Sequence, residues 1–177
     1  MKEKFLVLFS IFLLCSLAVS PFLVRIVSAA STDTVAATVT AQIYSVSVTD
    51  GTVAFLTVAQ DSTQDTTTSG VDDSQTATND GSVTAKFNIK ATDSTGGSGW
   101  TLGGTAGSET YTMKFCTSDC DGTPTWNSVG IDPSYATLAA SVVSTGNQVF
   151  DLQVGTPSST TETTEQSITV TVQAVAP

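Results

Sequence analysis

The sequence predicts an all-β protein, an antiparallel β-sandwich with Greek-key connections of the immunoglobulin or jelly-roll kind, preceded by an N-terminal signal helix. Three observations predict this fold. Apolar and polar residues alternate in several short runs, as in strands with one buried face. Gly- and Thr-rich segments separate these runs, as turns do in sandwiches. After residue 30, no run of useful length follows the helical period.

Residues 1–30 have the layout of a signal peptide. Lys2 and Lys4 precede an apolar run over residues 5–24, and small residues at 28–30 offer a cleavage site before Ser31. We therefore expect a secreted, extracellular or cell-surface protein. The apolar run is longer than a usual signal core, so a retained membrane anchor is the alternative.

Composition limits the partners of the mature chain. Without residues 1–30 it has 147 residues, the size of one domain, with 3 basic and 15 acidic residues and a net charge of −12. Such a surface repels nucleic acid and anionic lipid, so we expect no nucleic-acid partner and membrane contact only through the signal segment. The sequence contains no histidine, which removes the commonest general base and zinc ligand.

The mature chain begins with an unusually long alternating ribbon, residues 33–49. Val35, Ala37, Val39, Ala41 and Ile43 occupy odd positions, whereas Tyr44, Val46 and Val48 occupy even ones. A ribbon of 17 residues exceeds an ordinary strand, and the change of phase predicts a bulge, a bend or a change of sheet.

Two interpretations of this ribbon stay open. In one, it is a single bent strand that crosses between two sheets. In the other, residues 31–43 form an N-terminal extended donor strand that pairs with another molecule, while Tyr44, Val46 and Val48 belong to a sandwich domain over residues 44–177. The inserted row of the donor strand is then Val35, Ala37, Val39 and Ala41.

Next come a turn, a strand and a long loop. Asp50-Gly51 is a hairpin-type turn, and residues 52–59 are predicted as a strand that is buried on both faces or bulged near Leu56. Residues 60–80 are polar and predict a solvated loop, with a short strand near residues 75–78.

The middle of the chain contains the clearest alternation. Residues 83–91 predict a strand whose outer face carries Lys86 and Lys90, and we interpret both lysines as a block against unwanted strand pairing. Residues 111–115 predict a further strand, and Trp100 and Leu102 alternate about Thr101 between two glycine-rich loops.

The last third mixes irregular chain with strands. Residues 126–138 predict irregular, core-touching chain around Pro133. Strands are predicted over residues 149–154 and 168–174, joined by a polar loop over residues 155–166.

Cys116 and Cys120 enclose three residues. In a secreted chain, two mature cysteines at this spacing predict a disulfide that fixes a loop tip. A disulfide that closes so short a loop stabilises the folded state by about 2 kcal/mol, because this stabilisation grows with loop length.

The candidate site residues are acidic and aromatic. Asp119 and Asp121 are candidate Ca²⁺ ligands on a turn, but Ca²⁺ needs about 6–8 oxygens, and a solvated acidic turn is the competing interpretation. Trp100 and Trp126 form either a platform for cell-wall glycans or part of the core. No carboxylate lies in a long apolar run that would raise its pKa, so we expect a protein that is not an enzyme and needs no cofactor.

Three segments resemble secreted β-sandwich proteins of microbial surfaces: residues 81–90 (GSVTAKFNIK), 99–102 (GWTL) and 166–172 (QSITVTV). One similar group is the fibre subunits of the TasA and archaeal bundling-pilin type, in which the N-terminal strand of one subunit completes the sheet of the next. The other is the WxL-type surface domain, matched by Trp100-Thr101-Leu102, although the closing segment has no second Trp-x-Leu. The first resemblance implies a structural fibre subunit, pilin-like or of a biofilm matrix, that polymerises with itself by donor-strand complementation. The alternative function is a non-catalytic wall- or carbohydrate-binding module.

Overall fold

The computed structural model of the protein describes residues 32–177, which are all-β and contain no helix, hence none that could span a membrane. The predicted signal peptide, anchor and signal helix of residues 1–30 lie outside the described residues. Thr40–Pro177 form one compact unit that contains every strand, and residues 32–39 are not part of it. The strands are β1 (Val46–Thr49), β2 (Thr63–Asp65), β3 (Gln75–Asn79), β4 (Ala85–Ala91), β5 (Thr101–Leu102), β6 (Thr110–Cys116), β7 (Asn127–Ser128), β8 (Gly130–Ile131), β9 (Ala136–Val142), β10 (Asn147–Gly155) and β11 (Val170–Val175).

The strands form two sheets, so the predicted two-layer all-β fold is confirmed. The first sheet has the order β1-β3-β10-β6-β5, with β2 also paired to β10 and β7 to β6. The second sheet has the order β11-β4-β8, with β9 also paired to β4. Most neighbours are antiparallel and not consecutive in sequence, so the chain crosses repeatedly between the layers, as Greek-key connections require.

The core lies between β4 of the second sheet and β6 and β10 of the first sheet. Alternate residues of β4 face inward and are completely buried, because Ala85, Phe87, Ile89 and Ala91 share one face of a pleated strand. The opposite layer contributes buried apolar residues of β6 and β10, namely Tyr111, Met113, Phe115, Phe150, Leu152 and Val154.

Several strands match the predicted ones. The alternating runs at 83–91, 111–115, 149–154 and 168–174 correspond to β4, β6, β10 and β11. The short strand expected near residues 75–78 is β3. β5 lies within the Trp100–Leu102 alternation, which was not predicted as a strand.

Three predictions about elements were wrong. Residues 60–74 are not one solvated loop, because β2 lies there and pairs with β10. Residues 126–138 are not simply irregular, because β7 and β8 lie there and β9 begins there. Lys86 and Lys90 do not protect a sheet edge, because β4 is paired on both sides, and they lie on its outer face instead.

Candidate assembly interface

The N-terminal segment, residues 32–43, exposes its apolar side chains to solvent. Only residues 46–49 of the 33–49 ribbon form a strand within the described residues, so the interpretation of the ribbon as a single bent strand was wrong. Val35 is 93% exposed and Val39 is 96% exposed, and Ala37 and Ala41 are exposed as well. The four predicted donor residues are therefore uncovered.

The chain becomes anchored at Ile43. Its N–H donates to Ser82 Oγ (3.1 Å), and the Ser82 N–H donates to the Ile43 carbonyl oxygen (3.0 Å). Gly81 allows this approach, because a Cβ there would lie 2.2 Å from the Ile43 oxygen. From Tyr44 onward the side chains at even positions turn inward, and Tyr44, Val46 and Val48 are half-buried against the core. The change of phase in the sequence thus coincides with the point where the segment joins the sandwich.

One side of the sandwich is covered incompletely. Most of the half-buried apolar residues that pack on the core come from β1, from the chain just after it and from β11 with the residue Ile168 before it: Tyr44, Val46, Val48, Val53, Phe55, Ile168, Val170, Val172 and Ala174. β1 is the last strand of the first sheet, β11 is the last strand of the second, and the two lie next to each other. We call residues 44–48, 53–58 and 168–174 the open edge.

The predicted strand at residues 52–59 does not form a ladder. Val53 and Phe55 are half-buried and Ala54 is exposed, as in a strand, but Leu56 has a positive φ of 60° and is 73% exposed. No backbone group of residues 53–58 makes a hydrogen bond within residues 32–177. The alternation that predicted a strand is thus present without a partner strand.

The two tryptophans do not stack on each other in the part of the chain that the structure describes. Trp100 is half-buried, packs on the core and lies 6.5 Å from the buried Tyr111 ring, tilted by 44°. Its Nε1–H donates to Thr160 Oγ1 (3.0 Å), which in turn donates to Glu109 Oε2 (2.6 Å). Trp126 is half-buried just before β7. The polar edge of the Trp100 indole is therefore occupied by the protein itself.

The predicted disulfide between Cys116 and Cys120 is present, with a Cα–Cα distance of 5.8 Å. Next to it, Asp119 Oδ2 accepts from the Thr123 N–H (3.2 Å) and hydroxyl (2.7 Å). The Thr123 hydroxyl and N–H lower the pKa of Asp119. Its carboxylate is thus engaged within the turn. Within residues 32–177, no group of three or more Cys, Asp or Glu is arranged to hold a metal.

Sequence reasoning missed a buried polar cluster. Asp151 on β10 is buried, and its Oδ1 accepts from the hydroxyls of Thr66 (2.7 Å) and Ser74 (2.7 Å). Thr66 Oγ1 also accepts from the Leu152 N–H (3.0 Å). The signal was Asp151 itself, which lies between Phe150 and Leu152 in a predicted strand. These bonds fix the chain between β2 and β3 onto β10, so the cluster has a structural role.

Tyr111 predicts a pH dependence of stability. Its hydroxyl donates to the Thr92 carbonyl oxygen, and burial, followed by the negative charge of Asp93, raises the pKa of Tyr111 far above its usual range. Tyrosine in an unfolded chain ionises near about pH 10. Because the unfolded state then loses a proton that the folded state keeps, we expect the free energy of unfolding to fall as the pH rises above about 10. Urea unfolding at pH 8 and pH 11 measures this, and Tyr111→Phe should show a smaller fall. An equal fall in both proteins would contradict the assignment to Tyr111.

No protein-family model matches this chain, and searches of the curated proteins and of the solved structures return no match.

Proposed function

We propose that this protein is a secreted, non-enzymatic structural subunit of an extracellular or cell-surface fibre, in which the N-terminal segment of each copy inserts into the next copy. The observation that carries the proposal is the exposure of Val35 (93%) and Val39 (96%) in a segment with strand-like alternation. Residues 34–49 contain no charged side chain.

Burial of this segment is energetically favourable. Transfer of a valine side chain from water to an apolar site stabilises a complex by about 1.5–3 kcal/mol. An extended segment also brings one backbone donor and acceptor per residue to an unpaired sheet edge. Both contributions are available to residues 33–41 only on another surface, because Val35, Ala37, Val39 and Ala41 are exposed in the single chain.

Donor segment and sandwich are different surfaces, so the contact between two copies is heterologous. Such a contact need not close on itself, and it then generates an open chain of subunits. In this proposal the partner of each copy is a second copy of the same protein. The secretory layout of residues 1–30 and the disulfide suit assembly outside the cell.

Deletion of residues 31–41 tests the proposal. The protein beginning at Ser31 should form filaments, and the deletion variant should stay monomeric with an unchanged β-sheet circular dichroism spectrum, because every strand lies after residue 41. Negative-stain electron microscopy and size-exclusion chromatography measure assembly. Filaments from the deletion variant, or none from the undeleted protein, would show that the proposed mechanism is wrong.

A further inference from the structure

Residues 53–58 have the side-chain pattern of a strand but no backbone partner. Val53 and Phe55 contact the core and Ala54 faces solvent, whereas no backbone N–H or C=O between residues 53 and 58 is hydrogen-bonded within the described chain. Sheet edges offer such unpaired groups to an incoming strand.

Both ends of this segment are fixed. Before it, the Gly51 N–H donates to Gln75 Oε1 (3.0 Å), and Gln75 Nε2 donates to the Thr52 carbonyl oxygen (3.3 Å). After it, the Ala59 carbonyl oxygen accepts from Thr156 Oγ1 (2.7 Å). The segment is thus held in place, and little ordering entropy remains to be lost when a partner binds.

The last strand of the second sheet is also open. β11 pairs with β4 on one side, and within residues 32–177 no backbone hydrogen bond reaches its other side. Its sequence, VTVQAV, contains no charge or proline that would block pairing. By contrast β9, at the opposite edge of the second sheet, pairs with β4 through register shifts, and such irregularities discourage further pairing.

Charge favours this site for a second copy. At a net charge of −12, two mature chains repel each other over most of their surfaces. Residues 34–49, 51–60 and 166–177 contain no charged side chain, and they include residues 34–41 of the N-terminal segment and the whole open edge. Two copies can therefore approach closely where these uncharged stretches meet.

We propose that residues 33–41 of a second copy bind along the open edge and pair with residues 53–58, which become a strand only in the assembly. This inference rests on the proposed function and specifies its acceptor site. The nine-residue donor spans about 30 Å when extended, and residues 53–58 span about 20 Å, so the donor covers the whole segment. The inserted row, Val35, Ala37, Val39 and Ala41, then covers the half-exposed faces of Val53 and Phe55. Leu56, with its positive φ, marks a bulge in the new ladder.

Hydrogen exchange followed by mass spectrometry tests the acceptor site, with the protein beginning at Ser31 compared as monomer and as filament. Amides of residues 53–58 are unpaired in the monomer, so we expect their exchange to slow at least roughly tenfold on assembly, together with that of residues 33–41. The matched control within the same spectra is β9, whose exchange should not change. A Val35→Asn/Val39→Asn variant that does not assemble should show no protection at residues 53–58.

The outcomes separate the two proposals. Filaments that protect residues 33–41 and 53–58 support both. Filaments that protect residues 33–41 together with β9, or with β11 but not residues 53–58, overturn this acceptor site and leave strand donation standing. Absence of filaments overturns the proposed function and this inference with it.

Discussion

Replacement of both Val35 and Val39 by asparagine is expected to abolish filament formation at concentrations where the unchanged protein assembles. The two side chains are almost fully exposed in the single chain, so their replacement leaves the sandwich unaltered. Each substitution removes the about 1.5–3 kcal/mol by which burial of a valine side chain stabilises the proposed assembly. The sum of about 3–6 kcal/mol raises the critical concentration on the order of 100- to 10,000-fold. Light scattering over a concentration series measures the critical concentration.

The matched control is Thr34→Asn/Thr38→Asn, which changes the other face of the same segment. These threonines alternate with the valines, so in an extended donor they point away from the acceptor. We expect a critical concentration within a few-fold of the original. Equal losses in the two double variants would indicate that assembly does not use one buried row, and this would contradict donor-strand insertion.

Phe87→Ala should cause the largest loss of folding stability. Phe87 is completely buried on β4, and its partners in the neighbouring strands are Ala174 on β11 and Ala139 on β9. Small neighbours cannot fill the space left by a phenyl ring. We therefore expect the free energy of unfolding to fall by about 3–5 kcal/mol. For a domain of this size, the melting temperature should fall on the order of 10 °C.

Phe87→Leu tests whether the loss of stability in Phe87→Ala comes from the cavity. Leucine keeps most of the apolar volume, so we expect a loss of about 1–2 kcal/mol. Urea unfolding of the three proteins, with equal slopes against denaturant, measures the differences. A Phe87→Ala protein as stable as Phe87→Leu would show that the inner face of β4 is not the central packing layer.

The sequence predicted the strands whose burial comes from apolar alternation. β4, β6, β10 and β11 have an apolar residue at every second position, and each lies between turn-forming segments. β9 was missed because its sequence, ATLAASV, is dominated by small residues with no clear period, and its pairing with β4 includes register shifts.

Polar burial could not be predicted from hydrophobic pattern. β2 and β3 consist mostly of polar residues, and the chain between them is fixed by hydrogen bonds from Thr66 and Ser74 to Asp151. These partners are about 80 positions apart in the chain, so only the tertiary fold brings them together.

The candidate interface was predicted in part. The donor row Val35, Ala37, Val39 and Ala41 followed from the change of phase after Ile43. The open edge was not predicted. Residues 53–58 have the side-chain period of a strand, and the sequence alone does not reveal whether a strand has a partner. That distinction depends on which backbone groups are hydrogen-bonded, which is a property of the folded chain.

The anchor at Ile43 determines how rigid a fibre of this protein is. Ser82 holds the backbone on both sides of Gln42, because its hydroxyl donates to the Ala41 carbonyl oxygen (3.5 Å) and accepts from the Ile43 N–H (3.1 Å). At most one residue is therefore free between the proposed donor row and the sandwich. A tether of one residue reaches at most about 3.6 Å, far less than the width of a domain. If the proposed strand donation holds, successive subunits abut end to end and cannot swivel freely, and we expect a stiff rod rather than a flexible string of domains.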